Sequence, residues 1–158
     1  MTIHKILIAI DDSPNADYAT SYGFELARAL KAEVGIVNIV EPIILPPATT
    51  DAGMGMPISS SIDPMNADLI KAEENASDEL MDRAIQKYGE GLQVSHFKEY
   101  GASGDGILDC SKQFGADLIV LGTHKRSGLD RLLMGSVAEH VVRHSKIPVL
   151  VVPFRENE

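Results

Sequence analysis

Five short strand-like runs, four of them largely apolar, alternate along the chain with longer segments in which apolar residues recur every three or four positions. The runs are rich in β-branched residues and cover residues 6–10, 34–40, 94–100, 117–121 and 148–153. Most of them are apolar almost without a break, although Gly35 and Asn38 interrupt the second one. Such runs are typical of strands that are buried on both faces of a parallel sheet. The alternation therefore predicts an α/β fold, a doubly wound parallel sheet with helices on both faces.

Two long helices are predicted in the first half of the chain. The first begins with Ser13 as its cap and Pro14 at its first position, and it ends near Lys31. Its apolar stripe comprises Ala19, Tyr22, Gly23, Leu26, Ala27 and Leu30. The second runs from about residue 64 to residue 88, with a stripe that comprises Leu69, Ala76, Leu80, Ala84, Ile85 and Tyr88. Residues 43–63, which are rich in Pro, Gly and Ser, are predicted to form a long flexible loop.

Two shorter helices are predicted in the second half. Ser103 is expected to cap the third helix and Gly115 to end it. The last helix follows Gly135, and its inward face is expected to comprise Val137, Ala138, Val141 and Val142. A chain of 158 residues is long enough to bury a core of its own. We therefore expect residues 1–158 to form a single domain.

Composition and charge exclude several classes of protein. The chain has 14 basic and 23 acidic side chains, a formal net charge of −9, so a phosphate backbone would meet net repulsion. Its apolar runs are far shorter than the roughly 20 residues of a spanning helix. The single cysteine, Cys110, cannot form an internal disulfide, which agrees with a reducing compartment. We expect a cytoplasmic protein that binds neither nucleic acid nor membranes.

Positive charge is concentrated in one glycine-containing loop that leaves a buried strand and enters a helix. The loop carries four basic side chains, those of His124, Lys125, Arg126 and Arg131. A helix N-terminus presents unpaired N–H groups, so a phosphate can approach closely at Gly135 and Ser136. Ser136 and Glu139 also match a capping box, which satisfies such donors without a ligand. Because ligands of open α/β sheets bind at the carboxyl ends of the strands, the position of the loop favours the phosphate site.

Three segments of the chain resemble the universal stress protein family, in its nucleotide-binding type. They are residues 6–13, 122–139 and 148–152. The binding loop of that family has a glycine, two residues, a second glycine, nine residues, and then a glycine followed by serine or threonine. Gly122, Gly135 and Ser136 match this spacing, and Lys125 stands where the second glycine usually stands. The resemblance covers essentially the whole chain. It implies five parallel strands in the order 3-2-1-4-5, an adenine nucleotide alpha hydrolase-like fold.

The resemblance also implies a ligand, ATP, between the ends of the first and fourth strands. Ala9 and Ile39 would flank the adenine, and Asp11 would face the ribose or the adenine edge, although an aspartate is also favoured as a turn residue at a strand end. The triphosphate would lie against Gly122, Lys125, Gly135, Ser136 and Val137, with backbone contacts from Leu121. A Mg²⁺ ion that accompanies ATP would take most of its ligands from phosphates and water.

The function that follows from the resemblance is that of a regulatory, nucleotide-holding homodimer in the stress response. The two subunits would pair through the edge strand at Val149 to Val152. No catalytic residue and no protein metal site is assigned. Two alternatives stay open. One is an adenylyl-transfer or slow ATP-hydrolysing enzyme, for which His124 and Asp11 are the candidate bases. The other is a nucleotide-free dimer that acts by contact alone, with Lys125 filling the phosphate site.

Overall fold

All the predicted strands and helices are present in the part of the chain that the structure describes. The computed structural model describes residues 2–40, 64–123 and 135–153. The strands are β1 (Lys5–Ala9), β2 (Glu33–Val40), β3 (Val94–Tyr100), β4 (Leu118–Gly122) and β5 (Val149–Val152). The helices are α1 (Pro14–Leu30), α2 (Pro64–Tyr88), α3 (Ser103–Phe114) and α4 (Ser136–His144). The strand bounds lie within one residue of those predicted. The loop predicted over residues 43–63 lies outside the described residues.

The five strands form one sheet in the order β3-β2-β1-β4-β5, and every neighbouring pair is parallel. In the centre, Ile8 of β1 lies opposite Ile36 of β2 on one side and Val120 of β4 on the other. The chain thus moves outward from β1 to β3 and then crosses to β4 on the opposite side of β1. The strand order implied by the family resemblance is confirmed, and the topological switch point lies between β1 and β4.

The core has two layers, one on each face of the sheet. On the first face, Ile6 and Ile8 pack with Phe24 of α1 and Met81 of α2. On the second face, Leu7 belongs to a cluster that also includes Phe114 of α3 and Val141 of α4. Neighbouring residues of β1 serve opposite faces because side chains alternate along a strand. The predicted doubly wound architecture is confirmed.

Local chemistry explains where α1 and α3 begin and end. The Ser13 hydroxyl accepts a hydrogen bond from the Ala16 amide at 3.2 Å, and Pro14 occupies the first helical position. At the end of α1, Lys31 adopts a left-handed backbone with φ of 55°, and its N–H reaches the carbonyls of the last turn. Gly115 ends α3 in the same way with φ of 70°. The predicted cap, first residue and two helix ends are confirmed.

The cap predicted for α3 is wrong by one residue, and so is the alternative capping box at the start of α4. Ala102 is the N-cap of α3 and Gly135 is the N-cap of α4, so Ser103 and Ser136 are the first residues of these helices. A cap needs a non-helical backbone, whereas both serines have already entered the helix. The capping box predicted for Ser136 and Glu139 is therefore not formed, and the Glu139 carboxylate instead pairs with Arg143 at 2.8 Å.

The inward faces of three helices also differ from the prediction at particular positions. The residues predicted to face the core but found exposed are Tyr22, Leu30, Leu69, Ala76 and Val142. Phe24, Ser77 and Met81 are buried instead. The physical reason is that a spacing of three or four fits two adjacent stripes on a helix, and only contact with the sheet selects one of them. Within the described ranges, no helix combines the length and the apolarity needed to cross a bilayer.

Candidate functional site

A cleft of about 740 Å³ opens at the carboxyl ends of the central strands. Among the described residues, its lining comes from the end of β1 and the turn after it, the start of α1, the end of β2, the N-terminal parts of α3 and α4, and the end of β4. This is the switch point of the sheet, where open α/β folds bind their ligands. The volume falls in the range of roughly 300–1,000 Å³ that is usual for small-molecule sites.

The structure brings together all the predicted site residues that it describes. Those that line the cleft are Ala9, Asp11, Ile39, Leu121, Gly122, Gly135, Ser136 and Val137. Lys125 lies outside the described residues, as does the candidate base His124. The residues come from four separate segments, and the order of the sheet is what places them at one edge. Their role in binding remains a prediction.

The turn after β1 holds Asp11 at the cleft. The Ser13 N–H donates to Oδ1 of Asp11 at 2.8 Å, and the Ser13 hydroxyl in turn caps α1. The turn role that favours aspartate at a strand end is thus present. Asp11 and Asp12 are both exposed, and together with Glu139 they place three carboxylates around the described part of the cleft. The described part of the cleft is therefore acidic on both sides, and Arg143 offsets part of the charge of Glu139.

The end of β2 presents backbone groups to the same cleft. In a parallel sheet, successive residues of a strand direct their backbone groups to opposite neighbours. The Val37 carbonyl accepts from the Ile10 N–H on the β1 side at 2.9 Å, whereas the Val40 carbonyl accepts from the Gly101 N–H on the β3 side at 3.2 Å. The N–H and C=O of Ile39 therefore point to the β1 side, where β1 has already ended. They form an adjacent donor and acceptor at the wall of the cleft.

Asn38 is a cleft residue that the sequence analysis did not identify. Its side-chain Nδ2 donates to the Ile10 carbonyl at 2.9 Å, which ties the end of β2 to the turn after β1. In the sequence Asn38 stands out only as a polar residue that interrupts an apolar strand. That interruption is the signal that could have found it, because a polar residue within a buried strand needs a hydrogen-bond partner.

The N-terminus of α4 forms the opposite wall. The first intrahelical bond of α4 joins the Glu139 N–H to the Gly135 carbonyl at 3.0 Å. The amides of Ser136, Val137 and Ala138 therefore have no carbonyl partner within the helix, and they carry part of the positive end of the helix dipole. All three residues line the cleft. The arrangement suits a negatively charged group.

Close contact with α3 holds α4 in this position. Nε2 of His140 lies 2.8 Å from Oδ1 of Asp105, and the His140 ring stacks on His144 at 4.3 Å between centroids. A side chain at Gly104 would place its Cβ 2.5 Å from Cδ2 of His140, so only glycine allows this approach. In the described ranges, no group of three or more His, Cys, Asp or Glu side chains is arranged to hold a metal ion.

The chain was compared with known proteins. The family model described as the universal stress protein family matches residues 2–153. A universal stress protein of Methanocaldococcus jannaschii is 28% identical over 154 residues, which are 98% of this chain and 84% of the relative. The universal stress protein UspA from Lactobacillus plantarum has a similar structure, with a TM-score of 0.77 at 23% identity over 96% of this chain and 99% of that one.

Two further solved structures of this fold contain nucleotides. One is a universal stress protein in complex with cAMP, with a TM-score of 0.61 at 24% identity over 96% of this chain and 98% of that one. The other is the universal stress protein from Archaeoglobus fulgidus in complex with dAMP, with a TM-score of 0.59 at 21% identity over 96% of this chain and 98% of that one. At these identities the likeness shows the fold. The family model, however, spans nearly the whole sequence, and the chain therefore belongs to the universal stress protein family.

Proposed function

We propose that this cytoplasmic, single-domain protein binds an adenine nucleotide, ATP with or without Mg²⁺, in the cleft between β1 and β4. As a homodimer it would act as a regulator in the stress response rather than as a catalyst. One observation carries the proposal: a single cleft has the backbone donor and acceptor of Ile39 on one wall and the amides at the start of α4 on the other. Relatives of the same fold that hold cAMP and dAMP support it.

The wall formed by β2 suits adenine. Adenine carries an N6–H donor next to the N1 acceptor on its Watson–Crick edge. The C=O and N–H of Ile39 match this pair, while the apolar side chains of Ala9 and Ile39 suit the faces of the ring. Guanine presents an acceptor, O6, next to an N1–H donor, which is the reverse order. The pattern therefore favours ATP over GTP.

The sugar and the phosphates would lie between Asp11 and α4. A ribose hydroxyl can donate to the Asp11 carboxylate, as an acidic residue does in other nucleotide-binding α/β folds. The amides of Ser136 and Val137 would bind phosphate oxygens. The carboxylates of Asp11, Asp12 and Glu139 oppose a polyphosphate, so Mg²⁺ and the basic residues of the loop that contains Lys125 would supply the remaining attraction.

The edge of the sheet supports the dimer. β5 is an edge strand, and Val149, Leu150 and Val151 are each partly exposed. The Pro148 carbonyl accepts from the Ile119 N–H of β4, and the Val152 carbonyl accepts from the Thr123 N–H just after β4. By alternation the N–H and C=O of Val151 therefore point away from the sheet. An edge of this kind can pair with the same strand of a second copy.

A proline at the outward-facing position tests the dimer. Val151→Pro removes one outward N–H and leaves the bonds to β4 in place. Sedimentation is expected to give twice 17.1 kDa for the parent and 17.1 kDa for the variant. A parent that sediments as a monomer, or a variant that remains fully dimeric, would contradict pairing through β5.

Thermal unfolding with and without Mg-ATP tests nucleotide binding. A ligand at 100 times its Kd stabilises the native state by about 2.7 kcal/mol. For a domain of this size that corresponds to a rise in Tm of roughly 5–11 °C. A parent protein whose Tm does not respond to Mg-ATP would refute the proposal. Phosphate release from the same samples would reveal the enzymatic alternative.

A matched pair of charge variants locates the site. Ser136→Glu places a carboxylate in the first turn of α4, which suits the helix dipole but repels a triphosphate. Its Tm without ligand should equal or exceed that of the parent, whereas the shift with Mg-ATP should be lost. Gln86→Glu makes the same change of charge on the exposed face of α2 and should keep the full shift. A full shift in Ser136→Glu would show that phosphates bind elsewhere.

A further inference from the structure

We propose that Asn38 is a positioning residue that keeps the backbone of Ile39 available to a base and so sets the preference for ATP over GTP. The inference rests on the proposed nucleotide site for its functional part, while its structural part concerns the ligand-free protein alone. The hydrogen-bonded ladder between β1 and β2 ends irregularly.

The ladder follows a regular pattern up to its last bond. The Glu33 N–H donates to the His4 carbonyl at 2.8 Å, and the Ile10 N–H donates to the Val37 carbonyl at 2.9 Å. The next bond of a regular parallel ladder would run from the Ile39 N–H to the Ile10 carbonyl. In the described part of the chain no such backbone bond is present, and that carbonyl accepts from Nδ2 of Asn38 instead.

The Ile10 carbonyl needs a donor, because Ile10 is only 6% exposed. A buried carbonyl without a partner is costly. Among the described residues its observed donor is the Asn38 amide, and the Ile39 N–H is the donor that a regular ladder would supply. The Asn38 bond satisfies the carbonyl in place of the ladder bond, and the Ile39 N–H is left to the cleft. When Asn38 cannot donate, the ladder gains one more bond and the Ile39 N–H is withdrawn from the cleft.

Loss of the Ile39 N–H from the cleft should affect the binding of adenine and of guanine differently. The N1 acceptor of adenine needs the Ile39 N–H as its donor, whereas the N1–H of guanine needs an acceptor. Withdrawal of the N–H therefore weakens ATP binding and leaves GTP binding nearly unchanged. Asn38 acts through Ile39 and does not itself contact the base.

Two measurements on Asn38→Leu test the inference. Leu has a similar size, carries no charge and cannot donate. Hydrogen exchange of the Ile39 amide in the ligand-free protein, followed by NMR, should slow on the order of tenfold as the amide enters the ladder. Titration with Mg-ATP and Mg-GTP should show ATP affinity falling on the order of tenfold, the worth of one hydrogen bond, with GTP affinity unchanged.

Further variants separate positioning from a general loss of structure. Asn38→His restores an N–H donor and should recover both fast exchange at Ile39 and the parent ratio of ATP to GTP affinity. Asn75→Leu, at an exposed position of α2, makes the same substitution away from the cleft and should change neither. If Asn38→Leu does not fold, Asn38→Ala serves for the same comparison.

The outcomes distinguish this inference from the proposed function. Unchanged exchange at Ile39 in both non-donating variants would overturn the role of Asn38 even if the parent binds ATP. Slower exchange with an unaltered ratio of ATP to GTP affinity would overturn the specificity role. A parent that binds neither nucleotide would refute the proposed function and the specificity role with it, while the exchange result would still decide the structural part.

Discussion

Gly106 of α3 lies directly against Ile39 of β2. The substitution Gly106→Ala adds one methyl group, which should lower the stability of the parent but raise the stability of the Ile39→Val variant. An ideal Cβ on Gly106 would lie 2.7 Å from Cδ1 of Ile39, but 3.5 and 3.6 Å from its Cγ1 and Cγ2. Carbon atoms in good contact are roughly 3.5–4.0 Å apart. Only Cδ1 therefore clashes, and Ile39→Val removes that atom and nothing else.

The expected magnitudes follow from two opposing effects. Replacing a helical glycine by alanine stabilises a helix by about 1 kcal/mol. Forcing an extra methyl into a packed site costs about 1–3 kcal/mol. In the parent, Gly106→Ala should therefore lower the free energy of unfolding by roughly 0–2 kcal/mol. In the Ile39→Val background, where the clash is absent, it should raise the free energy of unfolding by about 0.5–1 kcal/mol. The coupling between the two sites is then about 1–3 kcal/mol.

Urea unfolding of the parent, both single variants and the double variant measures this coupling. Far-UV circular dichroism is the suitable signal, because the chain has no tryptophan. All four proteins must be compared at one protein concentration, since the proposed dimer would make apparent stability depend on it. An m-value of about 1–3 kcal/mol/M makes a difference of 1 kcal/mol visible as a shift in midpoint. Equal effects of Gly106→Ala in the two backgrounds would refute the packing of α3 on Ile39 described above.

Three further predictions concern stability and reactivity away from the cleft. Ser77 is 4% exposed and its hydroxyl has no hydrogen-bond partner among the described residues, so Ser77→Ala should raise the free energy of unfolding by about 1–3 kcal/mol. Ser111→Ala, which removes a hydroxyl bonded to the Leu108 carbonyl at 2.7 Å, is the control and should give no gain. Burial, with a smaller effect from the Glu99 carboxylate, raises the pKa of the Cys110 thiol to about 12, so a disulfide reagent near neutral pH should label it only through unfolding. Labelling of the native protein at the rate of a free thiol would contradict this. The amides of His4 and Lys5 donate to Asp117 at 2.8 and 3.0 Å and hold the pKa of its carboxyl below its ordinary value. The stability from Asp117 is therefore present above the unfolded pKa of about 3.9 and is lost as the pH falls through the lower folded value. Asp117→Asn should lower the urea midpoint at neutral pH, with a difference that disappears in acid; a difference independent of pH would contradict the assignment.

Much of the architecture could be predicted because it rests on local patterns. The apolar runs near residues 6–10 and 117–121 predicted central strands, since a strand covered on both faces has few polar residues. Ser13, Pro14 and Gly115 predicted helix ends through their own backbone chemistry. The strand order came from the family resemblance, because periodicity contains no information on which strands become neighbours.

Residues of the candidate site could be predicted where they directly follow a strand in the sequence. Asp11 directly follows the apolar run over residues 6–10 and Gly122 directly follows the run over residues 117–121, so both could be placed at the carboxyl edge of the sheet before the structure was known. Asn38 could not be assigned, because its partner, the Ile10 carbonyl, lies 28 residues away in the chain. The link from Asp105 to His140 spans 35 residues and escaped prediction for the same reason.

The sequence by itself determined which segments become strands and helices, the acidic character of the chain and the residues that follow each central strand, since these depend on near neighbours along the chain. The tertiary structure alone decided which stripe of α1 and α2 is buried, which residue caps α3 and α4, and which amides remain open at the cleft. Those outcomes depend on groups that are distant in sequence and compete for the same partner or the same space. Only the folded sheet brings such groups into contact.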